Sequence, residues 1–366
     1  MELKKLGRLV NWVDNRNKGL QSTNLLGISI DKFFMPSVAN VIGTDLSSYK
    51  VISENQFACN PMHVGRDEKM PVSLYMQKEC SIVSPAYFVF EVADVNEILP
   101  EYLMLWFRRN EFDREVWFHT DGSVRGGILW EELCELIIPV PSLAEQQEIV
   151  DAYNDIERRI ALKRKINDNL EAQAGAIYNT LISENVSNEE ENIYNILSVI
   201  NGSPFSSDYF NSEKNGYPLV RIRDLSKCDP EVYTDEVLKT TEYVNVGDIL
   251  IGMDGEFIPH IWFGKTGVLN QRVCKVIPSQ NYIHPLFLYF TLKPILTEIQ
   301  RTQGGTTVIH IGKKDFDKMS CVSLSEDKHR FFYEKVSPLF SQILNNDKEI
   351  LKLTYAHALV LATLSR

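Results

Sequence analysis

The chain has 366 residues, 44% hydrophobic and 24% charged, with a formal net charge of −11. This fits a soluble globular protein of two or three domains. No run approaches the ~20 apolar residues of a membrane span. The opening MELKKLGRLVNWVDN carries no secretory pattern, and six scattered cysteines form no C-x-x-C pair, so reduced thiols in the cytoplasm are expected. The acidic total counts against a nucleic-acid binder, but it is uneven: residues 184–192 alone contribute −4, while 193–322 hold 13 basic against 14 acidic residues.

In chain order, the first half offers β-rich runs at Ser53 (SENQFACNPM) and Ile82 (IVSPAYFVFEV), with Tyr87-FVFEV reading as a strand. A short amphipathic helix is predicted after Pro100 (PEYLMLWF). A glycine-bearing segment from Gly122 (GSVRGGILWEEL) and an apolar strand (ELIIPVPSL) then lead into a long helical pattern. After the acidic tether Ser183-ENVSNEEEN, the same order returns. It runs through VGDILIGMDG from Val246, LNQRVCKVIP from Leu269, Pro285-LFLYFTL, GTTVIHIGKKDF from Gly305, KMSCVSLSE and a second long helix. Five features in one order, about 185 residues apart between the two prolines, indicate an internal duplication with pseudo-twofold character.

The long helices carry the strongest periodicity. Positions 149, 153, 156, 160, 163, 167, 170, 174, 177 and 181 alternate steps of four and three, and eight of the ten are apolar. The core of this seam is Ile149, Ile156, Ile160, Leu170 and Ile177, with Lys163 and Asn167 as polar interruptions. The second seam, 332 to 364, runs through Leu339, Ile343, Asn346, Ile350, Leu353 and Val360, with Asn346 and His357 as its polar positions. Pro338 should kink the second helix or mark its true start. Each pattern spans roughly 55–60 Å at 1.5 Å per residue. A globule of this size cannot bury such a stripe, so the two helices are expected to pack on each other as an antiparallel coiled coil. Polar seam residues would fix the register.

The expected fold is therefore α+β: two mixed α/β globules joined by two long helices. The boundaries are 1–143 and 185–324 for the globules, and 144–184 and 325–366 for the helices.

Catalytic patterns are missing. Gly264-Lys-Thr lacks the earlier glycine of a phosphate loop, because position 259 is Pro. Asn60-Pro-Met-His lacks the second proline and the aromatic of an amino-methyltransferase turn. Asp315 with Glu326-Asp-Lys328 has the letters of a metal nuclease, but Ser325 and Glu326 look like helix-capping residues. No H-E-x-x-H motif or Cys/His cluster has metal-ligand spacing, and no catalytic residue is proposed.

The order of these segments resembles the specificity (S) subunit of type I restriction-modification systems. FACNPMHVGR from Phe57, SPAYFVFEV from Ser84, VGDILIGMDG, LNQRVCKVIP, HPLFLYF from His284 and the IPVPSLAEQQEIV junction from Ile138 carry the resemblance, which covers essentially the whole chain. The second junction, VSLSEDKHRFF, lacks the Glu-Gln-Gln of the first. The resemblance implies a non-catalytic phage-defence subunit. Each globule would be a target recognition domain reading one half of a split site in double-stranded DNA, and the helices would set the gap. Two methyltransferase (modification) subunits would dock on the helices, and restriction/translocase subunits would join them. S-adenosylmethionine, ATP and Mg would belong to those partners, with no cofactor, metal or membrane contact in this chain.

Base readout calls for Arg, Lys, Asn, Gln and similar side chains on loops. The candidates in the first globule are Asn60, His63, Arg66, Lys69, Ser123 and Arg125. In the second they are Asp254, His260, Lys265, Gln271, Thr306, Thr307 and His310. Two other classes of function stay open on sequence alone: a solitary DNA nuclease or methyltransferase, and a two-headed protein-binding adaptor.

Overall fold

The computed structural model describes residues 2–38, 43–62, 64–120, 126–185, 189–255, 257–303 and 310–364. The chain forms two compact units, one of Met1–Arg159 with Leu353–Arg366 and one of Ile160–Lys352.

The first unit is built on an antiparallel four-stranded sheet in the order Val10–Trp12, Phe88–Val92, Gln56–Cys59, Val72–Leu74. Alternation along FVFEV sends Phe90 inward, where it stacks on Phe57 at 5.1 Å, and Phe107 meets the pair edge-on. Phe107 ends the helix Pro100–Phe107, whose Pro occupies the first turn, where no N–H is needed. Strand Glu2–Lys5 pairs antiparallel with Ile137–Val140 just before the first long helix, Leu143–Ser183. That helix starts with a reciprocal cap: the Ser142 N–H donates to Glu145 Oε2 (2.9 Å) and the Glu145 N–H to Ser142 Oγ (3.4 Å). Gln146, fully buried, accepts from Leu99 N–H (2.8 Å) and donates to the Glu97 and Pro141 carbonyls (both 2.9 Å). The Glu-Gln-Gln segment therefore locks the helix to its globule.

The second unit repeats the plan. Its four-stranded antiparallel sheet runs Leu197–Asn201, Val273–Pro278, Ile249–Gly252, Pro259–Ile261. The strand pair Glu190–Asn192 with Ser320–Val322 precedes the second long helix, Glu326–Thr363. Ser53-ENQFACNPM and VGDILIGMDG supply the same strand of the two sheets, and so do SPAYFVFEV and LNQRVCKVIP. A five-stranded sheet that includes Tyr217–Val220 and Gly267–Leu269 in parallel flanks this core. The helix after Pro285 is longer than the short segment expected, running to Gln303 through Pro294.

The second long helix begins at Glu326 and continues through Pro338, so Pro338 does not mark its start as one reading of the sequence allowed. Packing beneath Phe332, Val336 and Phe340 holds the helix together across the lost hydrogen bond. Every seam position named above is buried or half-buried, while the residues between them are mostly exposed. In the second unit the two helices pair antiparallel, with Lys163 beside Glu349, Asn167 beside Asn346 and Tyr178 beside Phe332. The polar interruptions meet one another. Asn346 donates to Asn167 Oδ1 (2.7 Å) and accepts from Lys163 (3.1 Å), and Asn167 donates to Asp347 Oδ2 (2.8 Å). In the first unit His357 packs against Tyr153 with the rings tilted and their centres 3.9 Å apart.

Candidate nucleic-acid interface

In both units the same end of the four-stranded sheet gathers the candidate loops. In the second unit, strands 197–201 and 249–252 finish there, and strands 259–261 and 273–278 begin there. The turn Asn270–Val273 is closed by Val273 N–H on the Asn270 carbonyl (2.9 Å) and tied to its neighbours by Gln271 N–H on Ser203 O (3.0 Å). A Cβ on Gly202 would lie 2.1 Å from the Asn270 carbonyl oxygen, so only glycine lets these two backbones approach. Met253 N–H donates to the Arg272 carbonyl, and Ile311 N–H to Met253 O (both 2.9 Å). His310 forms an isolated bridge to Asp254. The side chains converge in the same way: Asp254 Oδ1 sits 2.6 Å from His310 Nδ1, and its Oδ2 sits 3.4 Å from an Arg272 nitrogen.

The first unit places its candidate loop at the corresponding end. Asn60 turns the chain by accepting the Met62 N–H (3.0 Å), and its own N–H donates to the Pro71 carbonyl (2.8 Å). Gly65 N–H donates to the Gly126 carbonyl (3.0 Å), and a Cβ on Gly127 would come within 2.8 Å of the Pro61 oxygen. In each unit, then, the glycine-bearing segment closes over the loop that follows the sheet's central strand.

Among the sequence-selected residues, the structure brings together Asp254 and His310, with Gln271 exposed beside them, and sets Asn60 in the first loop. Lys69 is exposed nearby, and Lys265 is exposed in a turn whose carbonyl accepts the Trp262 indole N–H (3.0 Å). His260 lies elsewhere: it sits half-buried on a strand, lining a cavity of about 300 Å³ with Asn167, Asp168 and Ile343 of the long helices. His63, Ser123, Arg125, Thr306 and Thr307 lie outside the described residues, as does the side chain of Arg66. The sequence reading missed Arg272, although an arginine next to Gln271 at a strand start was a usable signal.

Burial pushes the Cys274 and Cys321 thiols up to about 12 and Cys59 higher still, so they stay protonated. Lys32 and Lys50 are buried and held below the ordinary lysine range by desolvation. Lys32 is occupied by Asp113 at 2.8 Å, and Lys50 by the Tyr87 carbonyl at 2.6 Å. The nuclease letters are structural. Asp315 caps the Gly312 N–H (2.9 Å), and Lys328 donates to Asn185 Oδ1 (2.8 Å). Among the described residues, no group of three or more His, Cys, Asp or Glu is arranged to hold a metal.

The Type I restriction modification DNA specificity domain matches the chain twice, over residues 66–172 and 185–324. The chain belongs to this family. Among the relatives of this specificity domain, the Type I restriction enzyme EcoBI specificity subunit of Escherichia coli is 31% identical over 150 residues, 40% of this chain but only 31% of that protein's length. The HindI specificity subunit of Haemophilus influenzae is 20% identical over 91% of each chain. The crystal structure of the type I restriction-modification S subunit from M. genitalium superposes with a TM-score of 0.55 at 14% identity, covering 99% of this chain and 95% of that one, a likeness of fold. Among the described residues, no helix of this family member is long and apolar enough to cross a membrane.

Proposed function

We propose that the chain is the DNA-reading subunit of a type I restriction-modification complex, each unit reading one half of a bipartite target in double-stranded DNA. One observation carries this reading: the chain builds the same loop-bearing sheet end twice and furnishes it with different side chains, Asn60 and Met62 in one copy, Asp254, Arg272 and His310 in the other. A common frame with different side chains is what two unlike half-sites require.

On this reading the paired helices set the distance between half-sites and dock two methyltransferase subunits. Their exposed apolar residues off the seam, Leu162, Ile166, Leu351, Tyr355 and Leu359, support a docking role. The subunit makes and breaks no bonds in the cytoplasm. S-adenosylmethionine, ATP and Mg act in the methyltransferase and restriction/translocase partners.

The test is single-molecule sequencing of methylated bases in a host expressing the methyltransferase partner with and without this chain. The expected result is a split motif that appears only with the chain. Identical methylation in both hosts refutes the proposal.

A further inference from the structure

We infer that Arg272 is a specificity-determining residue of the second unit, reading a guanine in the major groove through its guanidinium while Asp254 holds it in place. The inference rests on the proposed DNA-reading function and names a residue that carries it.

Guanine presents two acceptors, O6 and N7, to the major groove, and the planar fork of an arginine matches both at once. Such readout is selective only if the fork is aimed before DNA arrives, because a freely rotating arginine settles on the nearest phosphate. Arg272 meets these conditions at three levels. Its backbone is fixed, with its carbonyl accepting Met253 N–H (2.9 Å) and the Asn270–Val273 turn pressed against Gly202, which has no space for a Cβ. One of its terminal nitrogens is engaged by Asp254 Oδ2 at 3.4 Å, and Asp254 is anchored in turn by His310 Nδ1 at 2.6 Å. The remaining N–H groups face outward: the Arg272 side chain is 56% exposed, whereas the Asp254 side chain holding it is 26% exposed.

Arg301 and Arg330, paired with Glu298 and Glu326, lie on helices and not on the loops of this sheet end. Arg221 is bound to Asp224 within one turn. Lys265 is exposed but has no planar fork to discriminate with. Asp254 was itself a candidate base reader. In the structure its two oxygens serve His310 and Arg272, so it is a positioning residue, and the base contact passes to Arg272.

The test uses the chain assembled with its methyltransferase partner. Methylated sites are sequenced for the wild type, Arg272→Lys and Arg272→Ala, and binding is titrated on duplexes altered one base pair at a time. Arg272→Lys keeps the charge and the Asp254 pair, so it preserves the fold even if Arg272→Ala does not. The expected result is loss of preference at a single G·C pair of one half-site. Discrimination there should fall by roughly tenfold or more, with the other half-site unchanged and Lys no better than Ala at that position. A wild-type split motif that survives both substitutions overturns this inference alone. So does an affinity loss spread evenly over all sequences, the mark of a phosphate contact. A wild-type complex with no split motif overturns the functional reading and this inference with it.

Discussion

Replacing Asn346 with Ala probes whether the polar layer of the helix pair is structural. Asn346 is 2% exposed and has partners on both its functional atoms: it donates to Asn167 Oδ1, and it accepts from Lys163 and from Gln342 at 3.0 Å. After truncation Lys163 keeps Glu349 at 2.7 Å and Asn167 Nδ2 keeps Asp347, while exposed Gln342 returns to water. The Asn167 carbonyl oxygen is left without its donor in a half-buried position. One lost buried hydrogen bond is worth about 1 kcal/mol, and the orphaned acceptor adds roughly 1–2 kcal/mol, so the substitution should cost about 2–3 kcal/mol. Denaturant melts of wild type, Asn346→Ala, Asn167→Ala and the double variant, compared at constant m, measure the coupling, expected at about 1 kcal/mol or more. Additive single effects, or a cost below ~0.5 kcal/mol for Asn346→Ala, would mean the layer contributes no more than an exposed pair.

His284 is 4% exposed, and burial pushes it from 6.5 down to about 4, so the folded chain holds it neutral. The stability this represents is complete above pH 6.5 and is lost as pH falls from 6.5 towards 4, amounting to roughly 3 kcal/mol. His284→Phe should flatten the melting temperature across that window, and an acid limb of unchanged steepness would count against it. Asp347 has the opposite sign: burial raises it from 3.8 to about 6, so its ionised form is disfavoured in the fold, and the resulting stability is present below pH 3.8 and lost as pH rises through 6. Asp347→Asn should therefore raise the melting temperature at pH 7.5 and not at pH 4; an equal effect at both would show that ionisation is not the cause. Pro338 is exposed within a continuous helix, and Pro338→Ala restores an N–H to the ladder, so thermal melts should show a gain of roughly 1–3 kcal/mol. A loss would show that the proline-set geometry is needed for the packing of Phe340.

The helices and the duplication were legible because both rest on repeating patterns. The four-three spacing depends only on helix geometry, and every seam position lies on the inner face. The paired strands of the two sheets could be matched from Phe57-Ala-Cys against Ile249-Leu-Ile because both are continuous apolar runs, buried on both faces. Individual site residues were harder, since a loop side chain's surroundings come from segments far away in sequence. His260 sat among apolar neighbours that looked like a loop, yet it is a strand residue pairing with Leu250. Asp254 and His310 were chosen singly, and nothing local indicated that 56 residues of separation would close to 2.6 Å. Lys328 looked available for chemistry until Asn185, 143 positions earlier, proved to be its partner.

The acidic balance, which counted against DNA binding at first reading, takes a different meaning on the proposed function. A reader must discriminate among very many competing sites, so its useful quantity is the ratio of specific to non-specific affinity. Non-specific affinity comes from phosphate neutralisation, to which a chain of net charge −11 contributes little or negatively. The near-neutral stretch 193–322 confines that repulsion mostly to the rest of the molecule and leaves the sheet end with its Arg272 free to approach a groove. The affinity lost over random sequence is then recovered only where base contacts form. On that proposal the phosphate grip would come from docked methyltransferase subunits. Binding by the isolated chain should accordingly be weak and nearly flat with salt, and the steep salt dependence should appear only once the partners have assembled.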